Sequence, residues 1–483
     1  MSLSEPPRPA KPPSDVGERL LSLVADLLPL RRCITGEGLR ATLARLGEVA
    51  PVVVTEVPTG ERAADWTVPS EWLVREAYLQ LPSGRRVADW AASALHLVQY
   101  SRPVRARMTV GDLRPHVHTL PEQPGLVPYR TAYYADTWGF CLSHDDWQAV
   151  EAEVGRGEIE VVVDSEIFDG AMSYGEIVVP GETEDEILIS AHACHPALAN
   201  DNASSLAVAA VLAARRLAGP RRRHTLRVLF APGTIGAIAW MSRARLGRIR
   251  HGLVLANLGD AGPLTYKLSR GGTLRAPLAV DRAVAVALRD TAGPGAGPGA
   301  FGTRPWTPDG YDERQFGSPG ADLPVGRLTR TPHGEYAEYH TSGDDLSLVS
   351  AASLAGSLAA VEAVLDVLDG DCRVHSLTPF GEPQLGRRGL YAPVGGVAHT
   401  PAAQEALTWT LALADGDHSL VDTAERSGLA FADVRHAADR LAAAGLVEEV
   451  AEEVTQEEFG ESGPPAAASL PLFKLQTPNT SPR

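Results

Sequence analysis

The segment "ISAHACHPALANDNASS" (residues 189–205) sets His192 and His195 three apart and follows them with Asp201 in an Asn-Asp-Asn run. Imidazole nitrogens and carboxylate oxygens are donors that zinc takes, so a cluster of them at one strand-to-helix junction is a candidate half-site. Two later apolar runs and one polar segment before a helix also deliver such groups. "TLRVLFAP" leads to Gly233 and Thr234, "HGLVLANLGD" ends at Asp260, and "HGEYAEYHTSGDDLSLVS" carries His340. Two imidazoles and two carboxylates, those of His195, His340, Asp201 and Asp260, are expected to converge on a metal. Each also has a plainer reading. Asp201 could cap the helix beginning near Ser204, Asp260 could serve a turn, and His340 with Thr341 and Asp344 could form another cap. His192 has the weaker claim, because alternate strand residues face opposite sides and only a bend before Pro196 would bring both rings together.

Those groups need a frame to hold them. From about residue 157, β-branched runs such as "EIEVVVDSEI", "EILISAHA" and "TLRVLFAP" alternate with Ala/Leu helices such as "SSLAVAAVLAARRLA" and "SLAGSLAAVEAVLDVLD". This alternation argues for an α/β fold with parallel strands, whose functional groups gather at the carboxyl ends of those strands. The expected organisation is an α/β domain over 15–56 and 129–375, interrupted by a β-rich module over 57–128. A winged-helix-like unit of three helices and a short strand is expected over 380–452. The Pro-rich residues 1–14 and the acidic, Pro/Ala-rich residues 453–483 are expected to be disordered, and "TAGPGAGPGAFG" (291–302) a flexible loop.

A net charge of -16 in 483 residues argues against a generic nucleic-acid or anionic-membrane binder. Asp and Glu are frequent in the winged-helix-like segment, and no Lys/Arg cluster marks its third helix. A homo-oligomer or protein partner docking through that unit is therefore expected ahead of DNA. The four cysteines form no Cys-x-x-Cys pair, the N-terminus has no secretory apolar region, and no run approaches the ~18 apolar residues of a bilayer span. A cytoplasmic protein is expected.

The order of the polar groups resembles the clan of cocatalytic zinc aminopeptidases and glutamate carboxypeptidases, through "LANDNASS", "ANLGD" and "YHTSGDDLSLV". It resembles more closely the bacterial aminopeptidase-like domain proteins, a domain of unknown function sometimes associated with polysaccharide biosynthesis. "RRCITGEGLRATL", "VPTGERAADWTVPSEWLVREAYL", "PYRTAYYADTWGFCLSH", "DERQFGSPGADLPVG" and "RTPHGEYAEYHTS" carry that likeness over roughly residues 20 to 370. The resemblance implies a mixed sheet flanked by helices, an inserted β-rich domain and a C-terminal winged helix. It makes His195, Asp201 and Asp260 one zinc shell, with Asp201 bridging and His340 serving a second metal.

One departure bears on the chemistry. The clan has two consecutive glutamates, a general base and a ligand, where this chain has Gly233 and Thr234. One zinc per chain is therefore expected, and loss of the positioned base removes about 10²–10⁴-fold in rate. Glu335, Glu338 and His192 are the candidates to replace it. Asp312, Glu313, Arg314 and Arg330 are expected to line a substrate pocket, the carboxylates holding an α-amino group and an arginine a carboxylate, unless they form an ion-pair network that steadies the loops. The implied activity is zinc-dependent hydrolysis of an amino-acyl or peptide-like small molecule, in specialised metabolism. The alternative is a non-catalytic binding or scaffold protein of the same fold.

Overall fold

In the computed structural model, residues 14–293, 299–390 and 401–450 are described; residues 1–13, the tail expected over 453–483 and the middle of the Gly/Pro-rich loop lie outside them. The run "EILISAH" forms a strand buried at every position, as expected for a strand covered on both faces. It lies near the centre of an eight-stranded sheet. The strands are β1 (Val53–Pro58), β2 (Ala171–Val179), β3 (Glu186–His192), β4 (Thr225–Ala231), β5 (Ile249–Leu255), β6 (Leu264–Lys267), β7 (Phe301–Arg304) and β8 (Val325–Thr329). Their spatial order is β1-β2-β4-β3-β5-β8-β6-β7. β3 runs parallel to β4 and β5, and β5 runs parallel to β8. The carboxyl ends of these four strands therefore share one edge, and the polar segments found in the sequence follow them there.

Side-chain alternation along β3 separates two cores. Ile187, Ile189 and Ala191 enter a core with α1 (Ser14–Leu27), α2 (Glu37–Gly47), α3 (Ser205–Ala218), α4 (Ala279–Ala292) and α5 (Ala351–Gly370). Leu188 enters the other core, with Trp240, Phe316 and residues of the inserted module. Each such aliphatic side chain contributes about 1.5–3 kcal/mol on burial. α3 is buried continuously from Ser205 to Ala213, which its Ala-rich sequence permits by letting neighbours approach closely. Against the expectation that no run approaches a bilayer span, α5 is, alone among the described residues, long and apolar enough to cross a membrane; its Leu354, Leu358, Val361 and Leu365 are buried in the core.

Two boundaries differ from the sequence reading. The strand Glu158–Phe168, expected in the α/β sheet, pairs instead with Glu71–Gln80 and Val104–Thr109 in a separate four-stranded sheet. The small sheet thus draws in chain well past residue 128. Strand-like composition marks a strand without revealing its partner, and here the paired residues lie between 49 (Thr109 and Glu158) and 97 (Glu71 and Phe168) positions earlier. The C-terminal unit begins with the strand Arg373–Ser376, which pairs with Asp415–Ser419 and Val447–Glu449. "DGDHS" is polar throughout and gives no strand signal. Three helices, Pro401–Ala412, Leu420–Ser427 and Phe431–Ala443, complete a winged-helix arrangement. Arg282 of α4 pairs with Asp422 and Glu425, and Asp290 accepts from the Phe431 N–H, which ties the unit to the α/β domain.

Candidate metal centre

β3 ends at His192, and the chain bends through Ala193 and Cys194 into His195 and Pro196. The buried Arg32 Nε donates to the His195 carbonyl at 2.8 Å and pins the bend. The bend turns the two rings towards each other, with His192 Nε2 2.9 Å from His195 Nδ1. Asp201 Oδ1 lies 2.8 Å from the first nitrogen and 3.5 Å from the second. A tetrahedral zinc with bonds of about 2.0–2.1 Å holds its donors about 3.3 Å apart, so this triangle fits such an ion. The other oxygen of Asp201 meets His340 Nε2 at 3.1 Å. One fully buried carboxylate therefore joins three imidazoles.

The surroundings hold that carboxylate in place. Asp344 accepts from the backbone N–H groups of Asn200 and Asp201, so the Asn-Asp-Asn run is clasped from the segment that carries His340. The Asn202 side-chain amide lies 3.1 Å from His192 Nδ1, the kind of outer contact that orients a ligating ring. His340 adopts a left-handed backbone (φ 55°), and its carbonyl accepts from the Tyr129 N–H at 2.8 Å. The Tyr129 ring stands edge-on to His195 and His340, each at 5.1 Å. Burial pushes His195 down to about 4 against the pull of Asp201, so its ring is neutral and able to ligate at pH 7. Burial alone would raise Asp201, but the electrostatic pull and the hydrogen bonds of the His195 and His192 rings outweigh it and hold the carboxyl well below its ordinary value.

The other residues singled out in the sequence divide clearly. The structure does not bring Asp260 into the cluster. Its carboxylate accepts from Asn200 Nδ2 (2.9 Å), the Gly262 N–H (2.7 Å), Thr331 Oγ1 (2.7 Å) and the Thr331 N–H (3.2 Å). Four donors fill the usual capacity of a carboxylate, which leaves no lone pair for a metal. His192 takes the place in the cluster that was expected of Asp260, because the bend overrides strand alternation. Asp260→Ala should therefore lose about 2–4 kcal/mol in urea unfolding while bound metal per chain stays unchanged.

Glu313 is also turned away from a pocket. It is fully buried and accepts from Lys267 Nζ at 3.0 Å and Arg327 Nη1 at 3.2 Å. Arg330 spends its donors on Ser357 Oγ and the carbonyls of Gly262 and Ser353, tying the loop after β8 to α5. Both follow the ion-pair and loop-steadying alternative. Glu335 pairs with Arg304 on an exposed surface, and Glu338 is half-buried. Arg314 Nη2 reaches Thr234 Oγ1 at 3.3 Å, while its Nε is buried without a partner. Asp312 is buried and unpaired, and it lies beside Gly233. Tyr311 stacks on His192 and Tyr339 on His340, so aromatic faces line the cluster.

A mixed sheet whose parallel strand ends gather imidazoles around a buried carboxylate defines an aminopeptidase-like α/β fold. The chain belongs to the family described as Domain of unknown function (DUF4910), which matches residues 21–371, and it carries a winged helix-turn-helix over residues 373–449. It is 37% identical over 430 residues to a Clostridium acetobutylicum protein whose name gives it an aminopeptidase-like domain and a place in polysaccharide biosynthesis. That match covers 89% of this chain and 95% of the relative. A Clostridium acetobutylicum crystal structure described as a peptidase superposes with a TM-score of 0.83 at 36% identity, covering 90% of this chain and 97% of that one. A zinc aminopeptidase from Bacillus subtilis gives a TM-score of 0.52 at 12% identity, covering 72% of this chain and 94% of that one, which is a likeness of fold.

Proposed function

We propose that this chain is a zinc-dependent hydrolase that cleaves an amino-acyl or peptide-like bond in a small molecule of specialised metabolism. The observation that carries the reading is the convergence of His192 Nε2, His195 Nδ1 and Asp201 Oδ1 within 4.8 Å of one another, with His340 on the remaining oxygen of Asp201. Those three donors fit one ion. Among the described residues a second ion would find Asp201 Oδ2 and His340 alone, so one zinc per chain is the expected load. When bound, zinc polarises a carbonyl oxygen and makes water a nucleophile near neutral pH.

The chain's own groups do the rest. Asp344 and Asn202 hold Asp201 and His192 in their orientations, and Tyr129 fixes the faces of His195 and His340. The buried Arg314 Nε is free to take a substrate carboxylate. In the winged helix, Arg435 is already paired with Asp439 and Glu449, which favours docking of a protein over DNA.

Metal analysis of the purified protein should find about one zinc per chain. Amine release from aminoacyl 4-nitroanilides should disappear on chelation and return with zinc. The rival reading, a binding scaffold, rests on the absence of a side chain at Gly233. It predicts no amine release from any aminoacyl substrate by the zinc-loaded protein.

A further inference from the structure

Both oxygens of Asp312 are buried and accept no hydrogen bond, and the residue is 1% exposed. It sits at the N-cap of a four-residue helix, Glu313–Phe316, yet caps nothing. Buried carboxylates that serve structure are paired, because an unpaired one forfeits its hydration without return. Its surroundings point to another use. A Cβ placed on Gly233 would stand 3.3 Å from His192 Cβ and 3.6 and 3.8 Å from the two oxygens of Asp312. The carboxylate thus approaches the space beside His192 that a side chain at 233 would enter. The preceding residue, Tyr311, stacks on the His192 ring with centroids 4.7 Å apart, which fixes the approach. Burial lifts the carboxyl to about 7, with His192 and Arg314 pulling it down and Glu313 pushing it up.

We propose that Asp312 is the proton acceptor of the hydrolytic reaction, brought to the metal cluster from the loop before Glu313 in place of the side chain Gly233 lacks. The inference rests on the hydrolase reading. As water oxygen bonds to the substrate carbonyl carbon, one water proton passes to Asp312 and the C=O π pair moves to oxygen. The C–N bond then breaks, its electron pair goes to nitrogen, and Asp312 returns the proton there. The products are a carboxylic acid and an amine, with the carboxylate regenerated. Three other acids are committed: Asp260 accepts four hydrogen bonds, Asp344 clasps the Asn200–Asp201 backbone, and Glu335 pairs with Arg304.

Asp312→Asn in the full zinc-loaded chain should lower kcat on L-leucyl-4-nitroanilide by about 10²–10⁴-fold, with KM and bound zinc unchanged. Asp312→Ala should behave alike, and adding Gly233→Glu to it should recover at least about 10-fold by supplying a carboxylate from the other side. A raised KM at unchanged kcat would make Asp312 an ammonium anchor, and loss of zinc would make it a ligand; either overturns the proposal. If the wild type leaves every aminoacyl substrate intact, the hydrolase reading fails, and the Co(II)-loaded protein still decides the fate of Asp312. Its visible spectrum between about pH 5 and pH 9 should titrate with a midpoint that Asp312→Asn displaces by about one unit or more. An undisplaced midpoint removes Asp312 from the site.

Discussion

Asp201→Ala should abolish metal retention and hydrolysis together. The carboxylate is the one group shared by His192, His195 and His340, touching the first two through Oδ1 and the third through Oδ2. Its removal leaves three imidazoles with no anion among them. Outer contacts of a metal site are each worth about 10–100-fold in affinity, so loss of a central ligand should exceed about 100-fold. Asp344 bonds to the Asn200 and Asp201 backbone, not to the side chain removed, so the local loop keeps its clasp. Zinc retained after gel filtration, measured by atomic absorption, reports the first effect, and amine release reports the second. A variant that keeps its zinc at wild-type affinity would place the ion elsewhere. Asp201→Asn is the stricter comparison, because it keeps the shape and removes only the charge.

The second large effect is on stability. Glu313→Ala should cost about 3–5 kcal/mol in urea unfolding, because it removes the carboxylate between two buried cations, taking from Arg327 its acidic partner and leaving Lys267 with Asp309. Lys267 is 3% exposed and Arg327 4% exposed, and Glu313 Oε1 is the oxygen both approach. Glu313 Oε2 also accepts from the Tyr311 N–H, so the same side chain helps hold the loop that stacks Tyr311 on His192. Bound zinc in the surviving folded fraction should stay near one per chain. A stable variant with a raised KM would instead return Glu313 to the substrate pocket that the sequence suggested.

The contrast between Glu313 and Asp312 shows where sequence reading stops. The two are adjacent acids in "GYDERQF", with the same chemistry to a reader of letters. One lies against Lys267 and Arg327, which come from β6 and β8, and the other faces Gly233 after β4. Which acid is structural is decided by chain segments tens of residues away. Asp260 and His192 exchanged roles for a similar reason. Asp260 looked like a strand-end ligand, but the Thr331 backbone and side chain fill its lone pairs. His192 looked misaligned by strand alternation, but a bend pinned by Arg32 undoes that alternation. Asp344 stood in the sequence only as part of a possible cap, and its clasp on residue 201 becomes visible with the fold.

The sequence by itself determined the α/β layering and the edge at which polar groups collect. Alternating strand and helix patterns are local, and burial on both faces writes itself into a strand as an unbroken apolar run. It also supplied His195 and Asp201, which follow such a run to the carboxyl edge, and His340, which stands in the polar segment leading into the helix Ala351–Gly370. Tertiary structure alone decided which sheet Glu158–Phe168 joins, which histidine completes the triangle and which carboxylate is left unpaired. Those outcomes depend on directional contacts of a few ångströms between distant segments, and no local pattern of residue types encodes such contacts.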